Sequence, residues 1–348
     1  MFYEYFILSC YNLKHPMRMT TLYHLLKGKK TSSVLSFGYF YDNLKYFGLF
    51  PRLTEEKYQK TIEILVDQHL LKSDKKNYFY LTEKGKEHLE SISFPNTDYL
   101  NPFSYNKWDN FFWEKLLFTT QVISEKSFKH KDYVPIESNL FKQQQLKRWL
   151  IKQDENVTEQ LKKEWLSINS ILSDDEKKII FGQLVGHELT GYTLIQLANE
   201  MTIEPTHAYL IFKNTLHYMM SVILSQQEIY PLMNQLILLE KNWLKEESSI
   251  ISKRLFDEVM SISKVSQMRQ LKESTVTDHL IEEYLKAPNI NELPNFSDEM
   301  TEKLREFKMI EPDFRRWVYK EVNTVLPNLS FYEFRSFQFY LVEEERSE

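Results

Sequence analysis

Apolar positions spaced three and four residues apart recur along this chain in short runs, separated by breaks rich in Pro, Asn and Ser, and predict a mainly α fold. The clearest run is 265–280. Val265, Leu271, Val276, Leu280 and Ile281 fall on one side of two helices joined by a three-residue turn, with Ser266 at the small position where the helices cross. That spacing predicts a helix-turn-helix. Lys272, Glu273, Ser274, Thr275, Thr277 and Asp278 are left on the outer face of its second helix, the face that enters the major groove in DNA-binding versions of the motif. Gln270 stands where such a turn favours Gly, so it is expected to adopt a left-handed conformation at a cost of roughly 1 kcal/mol.

A second run, Thr193 to Ile211, fits the same spacing with Ala198 at the crossing and Leu197, Met201, Ile203, Ala208 and Ile211 as the wall. Its outer face would be Glu204, Thr206, His207, Tyr209 and Leu210. No Arg or Lys is there to meet a guanine edge, which favours a structural or protein-binding use. Ser173 with Glu176 forms a capping box for the helix that precedes it.

Towards the N-terminus the period changes. Helices are predicted near Phe2–Leu13 and Thr20–Leu26, followed by a long amphipathic helix opened by Thr54 and running through Asp67. Leu70–Lys72 and Tyr78–Leu81 then read as two strands around the polar wing Ser73–Asn77, and Thr82 caps a last helix containing Glu83-Lys84-Gly85-Lys86. This order predicts a winged helix. Pro95, Pro102 and Pro135 break the stretch that follows, where Trp108, Phe111, Phe112, Leu116 and Phe118 make one apolar helical side and Phe141 to Ile151 another; it reads as a packing brace or as a partner-binding helix. After Leu285 the pattern predicts helices over 297–307 and 312–325, and a last one opened by the capping box Ser330 and Glu333. The expected organisation is a winged-helix domain with a small β-hairpin (1–92), a helical connector (93–155), a helical domain whose helix-turn-helix resembles that of sigma-factor region four (156–248) and a C-terminal helix-turn-helix domain (249–348).

Charge shifts this picture towards the N-terminus. The chain carries −5 in all, yet residues 1–90 carry +4, so any grip on phosphate is expected there. Lys27, Lys29 and Lys30 and the wing lysines Lys72, Lys75 and Lys76 are the candidate phosphate contacts, with Tyr78 or Tyr80 available to stack on an unpaired base. The competing reading is a solvated loop beside aromatic residues that hold the hairpin to its core.

Catalytic chemistry finds little support. Only seven Gly occur, none beyond Gly191, and no phosphate-cradling or dinucleotide-binding glycine motif is present. Cys10 is the single cysteine, which excludes internal disulfides and thiolate metal sites and fits a reducing, cytoplasmic setting. Met1 to Leu8 is interrupted by Glu4 and reads as a core helix rather than a signal peptide. No His pair has metal-ligand spacing, and His279 is expected to brace its helix pair. No catalytic residue, cofactor or metal is expected.

The run Leu271 to Leu280 resembles the helix-turn-helix module at the C-terminal end of many RecQ-type helicases, and Leu329 to Arg335 resembles its closing signature. The N-terminal domain is similar to the winged helix that follows the helicase core in RecQ proteins, with Leu26-Lys27-Gly28-Lys29-Lys30 and Tyr46-Phe47-Gly48 in the places of its basic and aromatic-Gly segments. Along its length the chain resembles the YpbB family of low-GC Gram-positive bacteria, whose members carry that module without a helicase. The resemblance implies a DNA-binding accessory protein that works with a RecQ-type DNA helicase in repair or recombination; the residues themselves add the expectation that it is non-enzymatic and cytoplasmic and that, with no Arg on either outer helix face and aromatic residues near the wing lysines, it binds DNA weakly and structure-selectively. A transcription regulator and a protein adaptor without nucleic-acid contact are the alternatives.

Overall fold

The computed structural model describes residues 2–74, 77–105, 108–243 and 247–347, with 240–243 by backbone alone. Among them it has nineteen α-helices and one three-stranded sheet. The chain forms two compact units, neither continuous in sequence: Met1–Phe6 with Glu90–Lys245, and Ile7–Leu89 with Glu246–Glu348. The four successive stretches read from the sequence are thus paired, the connector with the middle helical region and the winged helix with the C-terminal region.

In the second unit, strands Met17–Arg18, Tyr78–Leu81 and Leu71–Ser73 lie antiparallel with Tyr78–Leu81 in the centre. The first helix ends at Ser9 and not near Leu13. Asn12 explains this, because its side chain accepts the N–H groups of Lys14 and His15 and its carbonyl takes the N–H of Leu81, which commits that stretch to a turn beside the sheet. Helices Met19–Lys27, Ser32–Phe40, Glu55–Asp67 and Glu83–Glu90 complete the winged helix. Thr31 caps the second of these and Thr54 the third, each accepting a backbone N–H from the first turn. Gly28 has φ +81°, and a Cβ there would lie 3.0 Å from the Gly48 Cα, so the Lys-Gly-Lys and Phe-Gly segments meet backbone to backbone.

The C-terminal part of this unit begins with helices Ser248–Val259, Ile262–Arg269 and Glu273–Lys286. Val265, Val276 and Leu280 form its fully buried centre, as their spacing implied. The turn is left-handed at Gln270, with φ 53°, and the Ser266 hydroxyl donates to the Leu271 carbonyl at 2.6 Å, tying the first helix to the turn. His279 braces its neighbour: Nδ1 is 2.8 Å from the Ser252 hydroxyl, and burial, assisted by the nearby Arg269, lowers its pKa. The helix expected over 312–325 is instead a short 3-10 turn, Phe314–Arg316, a break, and the helix Tyr319–Val325. Trp317 makes the break, since its backbone is extended, its indole N–H donates to the Glu311 carbonyl at 2.7 Å, and its ring meets Phe307 edge-on. Ser330 and Glu333 cap the closing helix Phe331–Ser347 reciprocally.

The other unit is helical around a core that includes Phe112 and Leu116 of the former connector together with Ile168, Ala198, Leu216 and Met233. Phe111, grouped with that apolar side by spacing, is half exposed. At the helix-turn-helix of 193–211, Leu210 is fully buried, not outward. Glu204 accepts the N–H of Phe2 at 2.8 Å and His207 stacks on the Phe2 ring at 4.4 Å, so this unit's own N-terminal residues cover part of that face. A buried polar cluster ties its helices together. Asp109 lies 2.6 Å from the Lys213 ammonium and 3.1 Å from His217 Nε2, while His217 Nδ1 accepts the N–H of Asn101.

Candidate nucleic-acid interface

Cross-strand partners project to the same side of a sheet. Arg18 pairs with Tyr78 and Lys72 with Tyr80, so one face of the sheet presents two tyrosines and two cations. The Lys72 ammonium lies 4.5 Å from the centre of the Tyr80 ring. The Arg18 guanidinium lies 5.4 Å from the centre of the Tyr78 ring, and Arg316 adds a second guanidinium at 4.2 Å. Arg316 is held by Asp74 at 3.7 Å, which also accepts the Tyr78 N–H. Both tyrosines keep part of their surface exposed. A face of this kind offers positive charge to a phosphate and a ring or guanidinium plane to a base. Lys75 and Lys76 lie outside the described residues.

The three lysines of the 26–30 segment have different surroundings. Lys27 and Lys29 are exposed, with Lys27 over the Tyr23 ring at 5.5 Å. Lys30 is engaged within the unit, its ammonium 2.5 Å from Glu282 Oε1 and 3.8 Å from Glu247. Lys286 joins the same cluster. Burial alone would lower the Lys286 pKa, but its bonds to Glu247 and Glu283 outweigh that and push it up to about 12.

The second helix of the C-terminal helix-turn-helix exposes Lys272, Glu273 and Ser274, while Thr275 and Asp278 are half-buried. Thr277 departs from the expected outer face: it is 6% exposed. The reason is a second apolar stripe, Thr277, Ile281, Tyr284 and Leu285, beside the one that builds the motif's own core. This helix packs on Ser32–Phe40 of the winged helix, with Tyr284 edge-on to Tyr39 and stacked on Phe339 of the closing helix. The remainder of the contact is charge-matched. Residues 7–89 hold 14 Lys and Arg against 8 Asp and Glu, whereas 246–348 hold 14 against 21. Arg346 reaches Asp42 and the Tyr39 carbonyl, Tyr39 donates to Glu343, and Arg315 donates to the Phe40 carbonyl at 3.0 Å. Most of the helix that would lie in a groove is therefore spent on the winged helix, and what stays open is its first turn.

Spacing alone did not bring Arg18 or Arg316 to the sheet face. The signal for Arg18 was its place just before a helix start, within a two-residue strand too short to show alternation. Arg316 carried none, since its position depends on the fold of the far end of the chain.

Two segments of the chain match known families. Residues 6–92 match the RQC domain, and residues 248–338 match a family described as a helix-turn-helix domain. The chain is 22% identical over 289 residues to Protein YpbB of Bacillus subtilis (strain 168), a likeness that spans 81% of this chain and 82% of that protein. No solved structure matches the chain at a significant level. Among the described residues, no helix is long and apolar enough to cross a membrane.

Proposed function

We propose that this protein is a non-enzymatic DNA-binding accessory factor that works in the cytoplasm beside a RecQ-type helicase in DNA repair or recombination. The observation that carries the reading is the joining of the RQC-like and helix-turn-helix segments, from opposite ends of the chain, into one compact unit that keeps a basic, tyrosine-bearing sheet face open. In this reading the sheet face and Lys27 and Lys29 hold DNA through phosphate and unpaired bases. The first turn, exposed at Lys272, Glu273 and Ser274 with the half-buried Thr275 and Asp278 beside them, has one cation against two carboxylates, so it suits a protein partner better than phosphate. A sequence-reading regulator is less well supported, because direct readout needs a helix free to enter the groove.

The test is a pull-down of purified RecQ-type helicase from the same organism by the purified full-length protein, with and without forked DNA. Retention of the helicase in both conditions supports a direct partnership. Retention only with DNA leaves a shared substrate, and no retention in either condition rejects the helicase partnership.

A further inference from the structure

A second candidate site, independent of the DNA reading, lies at the end of the helix Asp109–Ser127. The Glu125 side chain is 6% exposed, and one of its carboxylate oxygens, Oε2, lies 2.7 Å from His130 Nδ1 and 3.0 Å from His187 Nδ1. The three donor atoms all fall within 4.8 Å of one another. Each comes from a different place: the helix, the turn that ends it, and a hairpin-like turn contributed by a later stretch.

The backbone holds all three. Lys129 takes a left-handed conformation, φ 57°, and the His130 N–H donates to the Glu125 carbonyl at 3.0 Å, so the chain folds back over the helix end. The His187 N–H donates to the Ser124 hydroxyl at 3.0 Å, an approach that requires Gly186, since a Cβ there would lie 2.6 Å from that same oxygen. Phe128 stacks on the His187 ring at 4.4 Å and limits its rotation. His130 keeps 40% of its side chain exposed, which leaves an entry path from solvent.

We propose that Glu125, His130 and His187 form a binding site for a divalent cation of the zinc class, ligated by Oε2 and the two Nδ1 atoms with a fourth position open to water. Two imidazoles and a carboxylate are a recognised donor set for such an ion, with metal–ligand distances of about 2.0–2.2 Å. Tetrahedral ligands at those distances stand about 3.3 Å apart, so each nitrogen has to draw away from Oε2 by only roughly half an ångström. A carboxylate oxygen only accepts, so without metal each Nδ1 is the donor to Oε2. Metal binding moves the donated hydrogen to Nε2 through exchange with water, which frees each Nδ1 lone pair to ligate the ion. The ion would clamp the turn after the helix and the 186–189 turn to the helix end.

The test uses the full-length protein, stripped with a chelator and titrated with zinc chloride or cobalt chloride. The expected result is one equivalent of tight binding, visible d–d absorption on adding cobalt, and a zinc-dependent rise in Tm. His130→Ala, His187→Ala and Glu125→Gln should each weaken that equivalent by about 100-fold or more, because even loss of a group that merely supports a ligand costs 10–100-fold. His88→Ala, outside the cluster, should leave it intact. Should a variant fail to fold, zinc protection of His130 and His187 from diethyl pyrocarbonate in the unaltered protein provides the reading. The proposal is overturned by a retained equivalent in the double variant His130→Ala/His187→Ala, by no tight equivalent in the unaltered protein, or by equal modification of both rings with and without zinc.

Discussion

Lys30 and Glu282 form an ion pair at 2.5 Å that joins the basic segment of the winged helix to the second helix of the C-terminal helix-turn-helix. Glu282 is itself buried and also accepts the Ser249 hydroxyl. A lysine that composition assigns to phosphate is thereby committed to holding the two ends of the chain together, and the same contact removes part of the helix-turn-helix from any groove.

This divides the three lysines. Lys27→Ala with Lys29→Ala should weaken DNA binding uniformly across sequences and reduce the slope of log K against log salt by roughly two, since each neutralised phosphate contributes about 0.9. Lys30→Ala should change the slope little and should instead lower stability by about 1 kcal/mol, the loss being limited because Lys286 and Ser249 still serve Glu282. Fluorescence anisotropy across a salt series and urea unfolding separate the two effects. A slope change of one unit for Lys30→Ala alone would mean that the pair opens to meet DNA.

Thr277 and its neighbours provide a second contrast. Thr277→Lys places a charge in a buried contact and should destabilise the unit by about 2 kcal/mol or more. Glu273→Lys with Asp278→Lys should leave the fold within about 0.5 kcal/mol, strengthen DNA binding and weaken helicase association. Thermal unfolding and a paired binding assay check this; intact helicase association in the double charge reversal would remove the first turn from the partner surface.

The difference between those two sets shows what the sequence carried. Val265, Val276 and Leu280, the left-handed Gln270 and the two capping boxes at Ser173 and Ser330 were legible, because each depends on residues a few positions apart. The burial of Thr277 was not, because its partner helix Ser32–Phe40 shows no period. Val34, Leu35, Phe37, Tyr39 and Phe40 are buried around most of its circumference, one side within the winged helix and the other against the C-terminal helices, so nothing amphipathic marks it. Leu210 fails for a related reason: an apolar residue on a presumed outer face reads as exposed until a long-range neighbour is known.

His217 should make stability depend on pH. Burial lowers its pKa, its Nδ1 accepts the Asn101 N–H and so carries no proton, and Lys213 beside it also opposes protonation, although Asp109 favours it. The folded state thus resists a proton that the unfolded chain accepts below about 6.5. Stability from this group is fully present above that value and falls as pH drops below it, by up to about 1.4 kcal/mol per pH unit, until the lowered folded pKa is reached. Comparing urea unfolding from pH 7 to 5 for the native chain and His217→Gln should show a shallower fall in the variant. Parallel curves would mean that His217 does not titrate in this range.

The most direct measurement of the central claim is competition between forked and fully paired DNA of equal length, by fluorescence anisotropy, for the native protein and for Tyr78→Ser/Tyr80→Ser. Base stacking on an aromatic ring contributes about 1–3 kcal/mol per base, so the native protein should prefer the fork by about tenfold, and the double variant should lose that preference while its duplex affinity and salt slope stay within about twofold. Equal competition by fork and duplex, or an unchanged fork preference in the variant, would contradict the assignment of the Arg18, Lys72, Tyr78 and Tyr80 face as the DNA site.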